Sequence, residues 1–298
     1  MRTRRRFLGG VLATSLTPMP TWADAGNPRY LSAARTADGA FVLAGLDRNG
    51  QEQFRLSLPD RGHAAAAHPV RPEAVAFARR PGRFALVLDC RDGDLLAHLH
   101  SPEGRHFYGH GTFDAAGDLL FTTENDYETG AGCIGIWDAA RGYRRVGEIP
   151  SGGVGPHDIR RLPDDTLVVA NGGIDTHPDT GREKLNLPTM RPNLSYLTSD
   201  GQLLDQIEPD HRLASIRHLA VRPDGLVGIG MQWQGDPAWV PPLAAVHRAG
   251  HPLRVLGTAK GLDGYVGSVA FSGTGDQLAV TSPRGGRLRV FDLTHNQG

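Results

Sequence analysis

The segment that decides the fold is His106–Asp138, HFYGHGTFDAAGDLLFTTENDYETGAGCIGIWD. Its first run, Phe107–Phe113, alternates apolar with small or polar residues, and a turn follows at Asp114–Gly117. A second apolar run, Leu119–Thr123, and a third, Cys133–Trp137, complete the unit. Short alternating runs separated by Gly and Asp predict antiparallel strands joined by tight turns.

The same pattern of strand, turn and apolar strand occurs six times along the chain, with turns spaced roughly 35–60 residues apart. The predicted first strands are Arg29–Arg35, Ala74–Arg80, Phe107–Asp114, His157–Pro163, Ile216–Pro223 and Val266–Ser272. A period of this length predicts an all-β fold, a β-propeller of four-stranded blades with six visible repeats. A β-helix would need shorter rungs, and a β-sandwich would lack the long period. The segment from Asp175 to Pro192 is too polar and broken for a strand and is predicted to be an insertion.

The N-terminus has the pattern of a secretion signal. Thr3–Leu8 places paired arginines before an apolar run, Phe7–Leu16, and Ala23–Ala25 offers small residues for a signal peptidase. We therefore predict a twin-arginine signal peptide over residues 1–25, a single propeller domain over residues 26–298, and a periplasmic location. The apolar run is too short to span a membrane.

Charge and cysteine content restrict the partners. The 32 Lys and Arg residues balance 32 Asp and Glu residues, and no basic patch stands out. Nucleic-acid binding is therefore disfavoured. The 39 Gly and 21 Pro residues fit a chain of many turns. In an oxidising compartment, Cys90 and Cys133 could form a disulfide.

The repeats also align the polar residues. With the turns in register, the equivalent first-strand positions are Ser32, Val75, His110, Asp158, His218 and Ser268. In a propeller the first strand of each blade lines the central channel, and its start lies on the same side as the end of the second strand. We therefore expect polar strand ends to converge on one mouth. The predicted ligand-binding residues from this alignment and the insertion are His110, Glu124, Asp126, His157, Asp158, Asn171, His177, Arg217, His218 and Gln232.

Three functions fit such a mouth. Imidazoles and carboxylates suit a transition metal such as iron or copper, with His110, His157 and His218 as ligands. A His/Asp pair beside Arg could instead act as a base and an anion clamp in a lactonase-like hydrolase. A hydrated channel used for protein contacts is the third. Histidines 63 and 68 are expected in a loop, and histidines 98, 100, 247 and 251 on the surface.

Several long motifs resemble an uncharacterised family of exported bacterial proteins. They lie in Gly153–Leu197, Arg71–Cys90, Ser101–Gly132, Ser215–Val221 and Gly264–Gly286. The resemblance implies that Tyr265 and Arg284, in the last of these motifs, also belong to the ligand-binding residues. The resemblance implies a propeller of the YVTN type, similar to the quinoprotein amine dehydrogenase β-chain and usually seven-bladed. The genes of this family commonly lie beside those of imelysin-like periplasmic iron-uptake proteins, which implies a role in iron acquisition with such a partner. Because only six repeats are visible before Gly298, we expect six blades or an incomplete ring.

Overall fold

The computed structural model describes residues 22–23, 25–26, 28–181 and 183–294. The twin-arginine motif and most of the predicted signal peptide lie outside the described residues. The described chain is built from 22 strands in six antiparallel sheets. The all-β propeller expected from the repeats is confirmed, and no helix in the described ranges is long and apolar enough to cross a membrane.

The strands follow chain order within every sheet. The first three sheets are β1 (Tyr30–Arg35), β2 (Phe41–Leu46) and β3 (Glu52–Leu58); β4 (Gly62–Ala67), β5 (Glu73–Ala78), β6 (Phe84–Asp89) and β7 (Leu95–His100); and β8 (Arg105–Phe113), β9 (Leu119–Asp126), β10 (Gly132–Asp138) and β11 (Arg144–Pro150). The last three are β12 (Pro156–Arg161), β13 (Leu167–Asn171), β14 (Asn193–Leu197) and β15 (Leu203–Ile207); β16 (Ala214–Val221), β17 (Val227–Trp233), β18 (Ala244–His247) and β19 (Arg254–Leu256); and β20 (Ser268–Phe271), β21 (Gln277–Ser282) and β22 (Arg287–Asp292).

The first strand of each sheet lies innermost, because β1, β4, β8, β12, β16 and β20 pack against one another in that order. Five of the six predicted first strands overlap these inner strands. The prediction was wrong for the second blade, where Ala74–Arg80 falls on β5, the second strand. The true inner strand, β4, has the sequence GHAAAA, and its alanine run gave no β signal.

Apolar residues fill the space between neighbouring sheets. One cluster joins the first and second sheets through residues such as Leu43 and Leu86, and another joins the second and third through Phe77 and Trp137. Further clusters continue to the sixth sheet. The four sheets between the first and the last thus bury both faces against their neighbours, as propeller blades do.

The ring ends differ from its interior. The first and last sheets have three strands each, and β1 and β20 do not make the extensive contact that joins the other inner strands. Their outer faces keep apolar side chains exposed: Tyr30 is 57% exposed and Leu288 is 63% exposed. Among the described residues, the six sheets form an arc whose ends are not packed together.

The expected surface position of His247 is wrong, and the structure also places Cys90, Cys133 and His68. Cys90 and Cys133 are both buried free thiols, and burial raises the pKa of Cys90 to about 12. His68 lies between β4 and β5, outside any strand as expected, but it is buried: its Nε2 donates to the Gly117 carbonyl at 2.9 Å. His247 is also buried, with Nδ1 accepting from the Tyr196 hydroxyl at 2.7 Å.

The segment from Asp175 to Pro192 contains two short 3₁₀ helices, Pro178–Thr180 and Leu187–Thr189, and no strand among its described residues. A third 3₁₀ helix, Ala139–Arg141, follows β10. The insertion is therefore irregular, as expected, and it contributes Thr176 and Lys184 to a central cavity.

Candidate functional site

Four inner strands carry a break in their pairing at the same level of the channel. The register shifts in β4 between Gly62 and Ala65, and in β8 between Phe107 and Gly111. It shifts in β12 at His157 and in β16 at Arg217. The strands β1 and β20 pair without such a shift. Because a β-bulge redirects the side chains at the extra residue, these four breaks determine which side chains face the axis.

Four imidazoles meet at this level, one from each bulged strand. The ring centroids of His63 and His110 are 4.9 Å apart, and those of His110 and His157 are 5.2 Å apart. His218 lies 4.9 Å from His157. The ligand nitrogens of His63, His110 and His157 lie within 4.8 Å of one another, as do the ligand atoms of His110, Asp158 and His218.

Asp158 orients the centre of the cluster. Its side chain is 1% exposed, and its Oδ1 lies 3.1 Å from Nδ1 of His110. Its Oδ2 accepts from the backbone N–H of Leu219 at 2.9 Å. Because the carboxylate accepts the Nδ1 proton, His110 presents the lone pair of Nε2 to His63, whose own Nε2 is 3.3 Å away.

The surroundings keep the carboxylate charged and three imidazoles neutral. Burial alone would raise the pKa of Asp158, but Arg160 and His110 outweigh it and hold that pKa well below its usual range. Burial, followed by the neighbouring His110, lowers the pKa of His63 to about 3 and that of His218 to about 4. Burial and Arg217 likewise hold the pKa of His157 well below 6.5. Neutral imidazole is the form that binds metals.

Gly109 makes the close approach of two blades possible. Its φ is +99°, and a Cβ at this position would lie 2.6 Å from Cδ2 of His63. A side chain would therefore be strained by its backbone conformation and would push His63 away from His110.

A cavity of about 570 Å³ opens directly above the cluster. His63, His157 and His218 form its floor, and Tyr108, Trp233 and Tyr265 contribute aromatic wall. Five cationic side chains also line it, and no lining residue is acidic: the cations are Arg79, Arg80, Lys184, Arg217 and Arg284. A volume of this size is typical of small-molecule sites.

The structure brings eight of the predicted site residues together. Six line the cavity and two lie directly beneath it: the lining residues are His157, Arg217, His218, Gln232, Tyr265 and Arg284, and the other two are His110 and Asp158. Gln234 lines the same cavity.

Four predicted site residues lie elsewhere. Glu124 is fully buried and pairs with Arg145 at 2.7 Å on the face of the third blade. Asn171 is buried in a network with Ser151 and Asn193.

The other two lie near the rim. Asp126 accepts from backbone N–H groups of the following turn and pairs with Arg105 at 3.1 Å. His177 packs edge-on against Tyr127, with a ring distance of 5.2 Å. Neither lines the central cavity.

Sequence reasoning missed His63 and three of the five lining cations, Arg79, Arg80 and Lys184. His63 was placed in a loop because the second blade was aligned one strand too late. Once β4 is the inner strand, the residue before the alanine run falls at the level of His110. Arg79 and Arg80 follow β5 in the turn above the cluster, and their adjacency was the only signal in the sequence.

Comparison with solved structures supports the fold. A chain of hydrazine synthase from Kuenenia stuttgartiensis matches with a TM-score of 0.64 and 15% identity, covering 96% of this chain and 80% of that one. The β-propeller domain of Cps50 (Swd1) from Myceliophteria thermophila matches with a TM-score of 0.59 and 13% identity, covering 88% and 83%. At these identities the likeness concerns the fold alone.

Sequence comparisons point to one family. No curated protein matches the chain. A family model described as "Protein of unknown function (DUF1513)" matches residues 56–298, which include every blade from the second onward and all residues of the histidine cluster. The chain therefore belongs to the DUF1513 family of proteins of unknown function.

Proposed function

We propose that this protein binds a transition-metal ion, iron or copper, at the central histidine cluster. The observation that carries the proposal is the convergence of four imidazoles from four blades, with a buried carboxylate behind one of them. Two nitrogens bound to one metal at about 2.1 Å lie roughly 3–4 Å apart. The 3.3 Å between Nε2 of His63 and Nε2 of His110 fits that requirement.

The hydrogen bonding suits metal ligation as well. A ligating histidine usually donates its other ring N–H to a carboxylate or carbonyl, which fixes the tautomer. His110 has this arrangement with Asp158. His110 belongs to two candidate ligand groups, one with His63 and His157 and one with Asp158 and His218. Imidazole nitrogen suits both iron and copper.

The wider role we propose is periplasmic iron uptake, with an imelysin-like protein as partner. It is supported by the twin-arginine pattern at Arg4–Leu8 and by the family resemblance described above. A metal-binding propeller exported by that route would bind its ion on the far side of the inner membrane.

Calorimetric titration tests the metal site. The mature protein is freed of metal with EDTA and titrated with Fe(II), Cu(II) and Zn(II), beside the variants His110→Ala and His218→Ala. We expect binding of one ion per chain that is lost in both variants and retained in His251→Ala, a matched exposed histidine. Circular dichroism confirms that each variant is folded. Absence of binding, or equal binding in all three variants, contradicts the proposal.

A second function is favoured by the same Asp158–His110 pair. A buried carboxylate that orients a histidine is the arrangement of a general base, and Arg217 would stabilise a developing oxyanion. We propose a lactonase-like hydrolysis as this alternative. A panel of lactones and esters, assayed with the wild type and Asp158→Ala, tests it. Turnover no higher in the wild type than in the variant would eliminate the hydrolase.

A further inference from the structure

We propose that the cavity above the histidine cluster binds a small polyanion, with two or more carboxylate or phosphate groups, through its cationic lining. This inference goes beyond metal binding and does not require a metal. Guanidinium groups match the geometry of carboxylate and phosphate, which they bind through paired hydrogen bonds.

The cavity concentrates positive charge without an acidic partner in its lining. Arg80, Arg217, Arg284 and Lys184 approach from three different blades and from the insertion, and no Asp or Glu is among the residues that line it. Asp158, the nearest buried carboxylate, lies beneath the histidines and already pairs with His110 and Arg160. The only charged side chains that line the cavity are therefore cations.

Three of these cations, Arg80, Lys184 and Arg284, contact uncharged groups, which leave their positive charge available. Arg80 donates to the Thr176 hydroxyl at 2.6 Å, and Lys184 donates to the Gln234 side-chain oxygen at 2.6 Å. Arg284 stacks over the Tyr265 ring at 4.6 Å. These contacts orient the side chains, and none of them neutralises the charge.

Arg217 is the deepest of these groups. One of its terminal nitrogens lies 3.4 Å from Nδ1 of His157, while its Nε is buried with no hydrogen-bond partner in the described structure. That Nε is closed to solvent, so an anion above His157 would contact the other guanidinium nitrogens of Arg217, which lines the cavity. Burial, followed by the charge of Arg80, also lowers the pKa of Arg217 to about 10. An anion would relieve that repulsion.

The size and shape of the cavity set the class of ligand. A volume of about 570 Å³ accommodates a molecule the size of citrate with several waters and is too small for a folded partner. Several cations around one space favour a ligand with more than one negative group. The aromatic wall of Tyr265 and Trp233 adds apolar surface for a carbon skeleton.

The test is calorimetric titration of the EDTA-treated protein with citrate and with inorganic pyrophosphate, with spermidine as a cationic control. We expect one of the two anions to bind at one site, with an affinity that falls as salt rises. Tighter binding of citrate would assign the site to carboxylates, and tighter binding of pyrophosphate to phosphates. Because the protein is metal-free, failure of the metal proposal leaves this result unaffected.

Matched variants locate the site. Arg284→Gln should weaken binding about tenfold, as expected for the loss of one charge-assisted pair. Arg287→Gln should leave binding unchanged, because Arg287 is an exposed arginine of the same hairpin that does not line the cavity. Arg217→Gln should weaken binding at least as much as Arg284→Gln, with folding confirmed by circular dichroism. The proposal is overturned if neither anion binds, if spermidine binds equally, or if Arg284→Gln and Arg287→Gln behave alike.

Discussion

Replacement of Asp158 by Asn is the most informative single change. The carboxylate is 1% exposed and accepts on both oxygens: Oδ1 from the N–H of Ile159 and from His110, and Oδ2 from the N–H of Leu219. Asparagine has the same shape and one acceptor oxygen. The amide NH₂ group must then face either the N–H of Leu219 or the two donors to the other oxygen, Ile159 and His110.

The magnitude follows from these contacts. A buried N–H left without an acceptor costs about 1–3 kcal/mol, and a charge-assisted hydrogen bond contributes about 1.5–3 kcal/mol. We expect Asp158→Asn to lower the free energy of unfolding by about 3 kcal/mol, which for a domain of this size lowers the Tm by about 6–12 °C. Because His110 also loses the acceptor that fixes its tautomer, metal affinity should fall about 10–100-fold.

Thermal unfolding measured by calorimetry, with and without EDTA, is the assay. The control is Asp224→Asn, since Asp224 likewise pairs with two basic side chains, Arg222 and Arg248, but is 46% exposed. Loss of such a surface pair should cost less than about 1 kcal/mol. If the two variants unfold at the same temperature, the buried carboxylate does not stabilise the channel as argued.

The stability of the wild type and that of Asp158→Asn should also depend differently on pH. Arg160 and His110 hold the pKa of Asp158 below its unfolded value, so its contribution is complete above about pH 4 and is lost as the pH falls further. In acid, wild type and Asp158→Asn should therefore converge in stability. A constant gap between them down to pH 2 would show that the charge of Asp158 is not the origin of the effect.

Three other predictions concern separate parts of the molecule. In EDTA-treated protein, the free energy of unfolding should fall as the pH drops from 7 towards 4, because the pKa of His218 is about 4 in the fold and near 6.5 in the unfolded chain. Urea titrations at several pH values should show a smaller fall for His218→Gln. Tyr196→Phe removes the donor to buried His247 and should cost about 1–3 kcal/mol in urea unfolding without changing metal affinity. Glu124→Ala removes the buried partner of Arg145, which keeps its pair with Glu148 at 3.0 Å, and should cost about 1–3 kcal/mol. If Glu124→Ala weakens metal binding in calorimetry while the fold stays intact, Glu124 belongs to the site after all.

The sequence predicts the blades well because apolar alternation and turn residues repeat with a long period. It predicts His110, Asp158 and His218 because their blades share one register. The same logic misplaces Glu124, which ends its strand at the expected level but points to the face that carries Thr122, two residues before it. The alternation of side chains along a strand decides which face of the sheet a residue points to, and a repeat alignment alone does not predict that face.

Bulges limit the prediction further. An extra residue in a strand shifts every later side chain to the opposite face, and nothing in the composition of β12 or β16 marks where it occurs. For that reason His157 and Asp158 both contribute to one site although neighbours in a regular strand point apart. Arg79, Arg80 and Lys184 were missed for another reason: they follow a strand or lie in the insertion, where the repeat alignment assigns no position.

The origin of the four imidazoles on four separate blades has a mechanical consequence. Each blade is a local hairpin stack, but the site exists only where blades two to five stand side by side. An ion bound at the cluster of His63, His110, His157 and His218 would cross-link blades two to five at the axis. Its binding free energy would then oppose the displacement of one of these blades relative to the next. The first and last sheets, which lack extensive contact with each other, would not be stabilised directly.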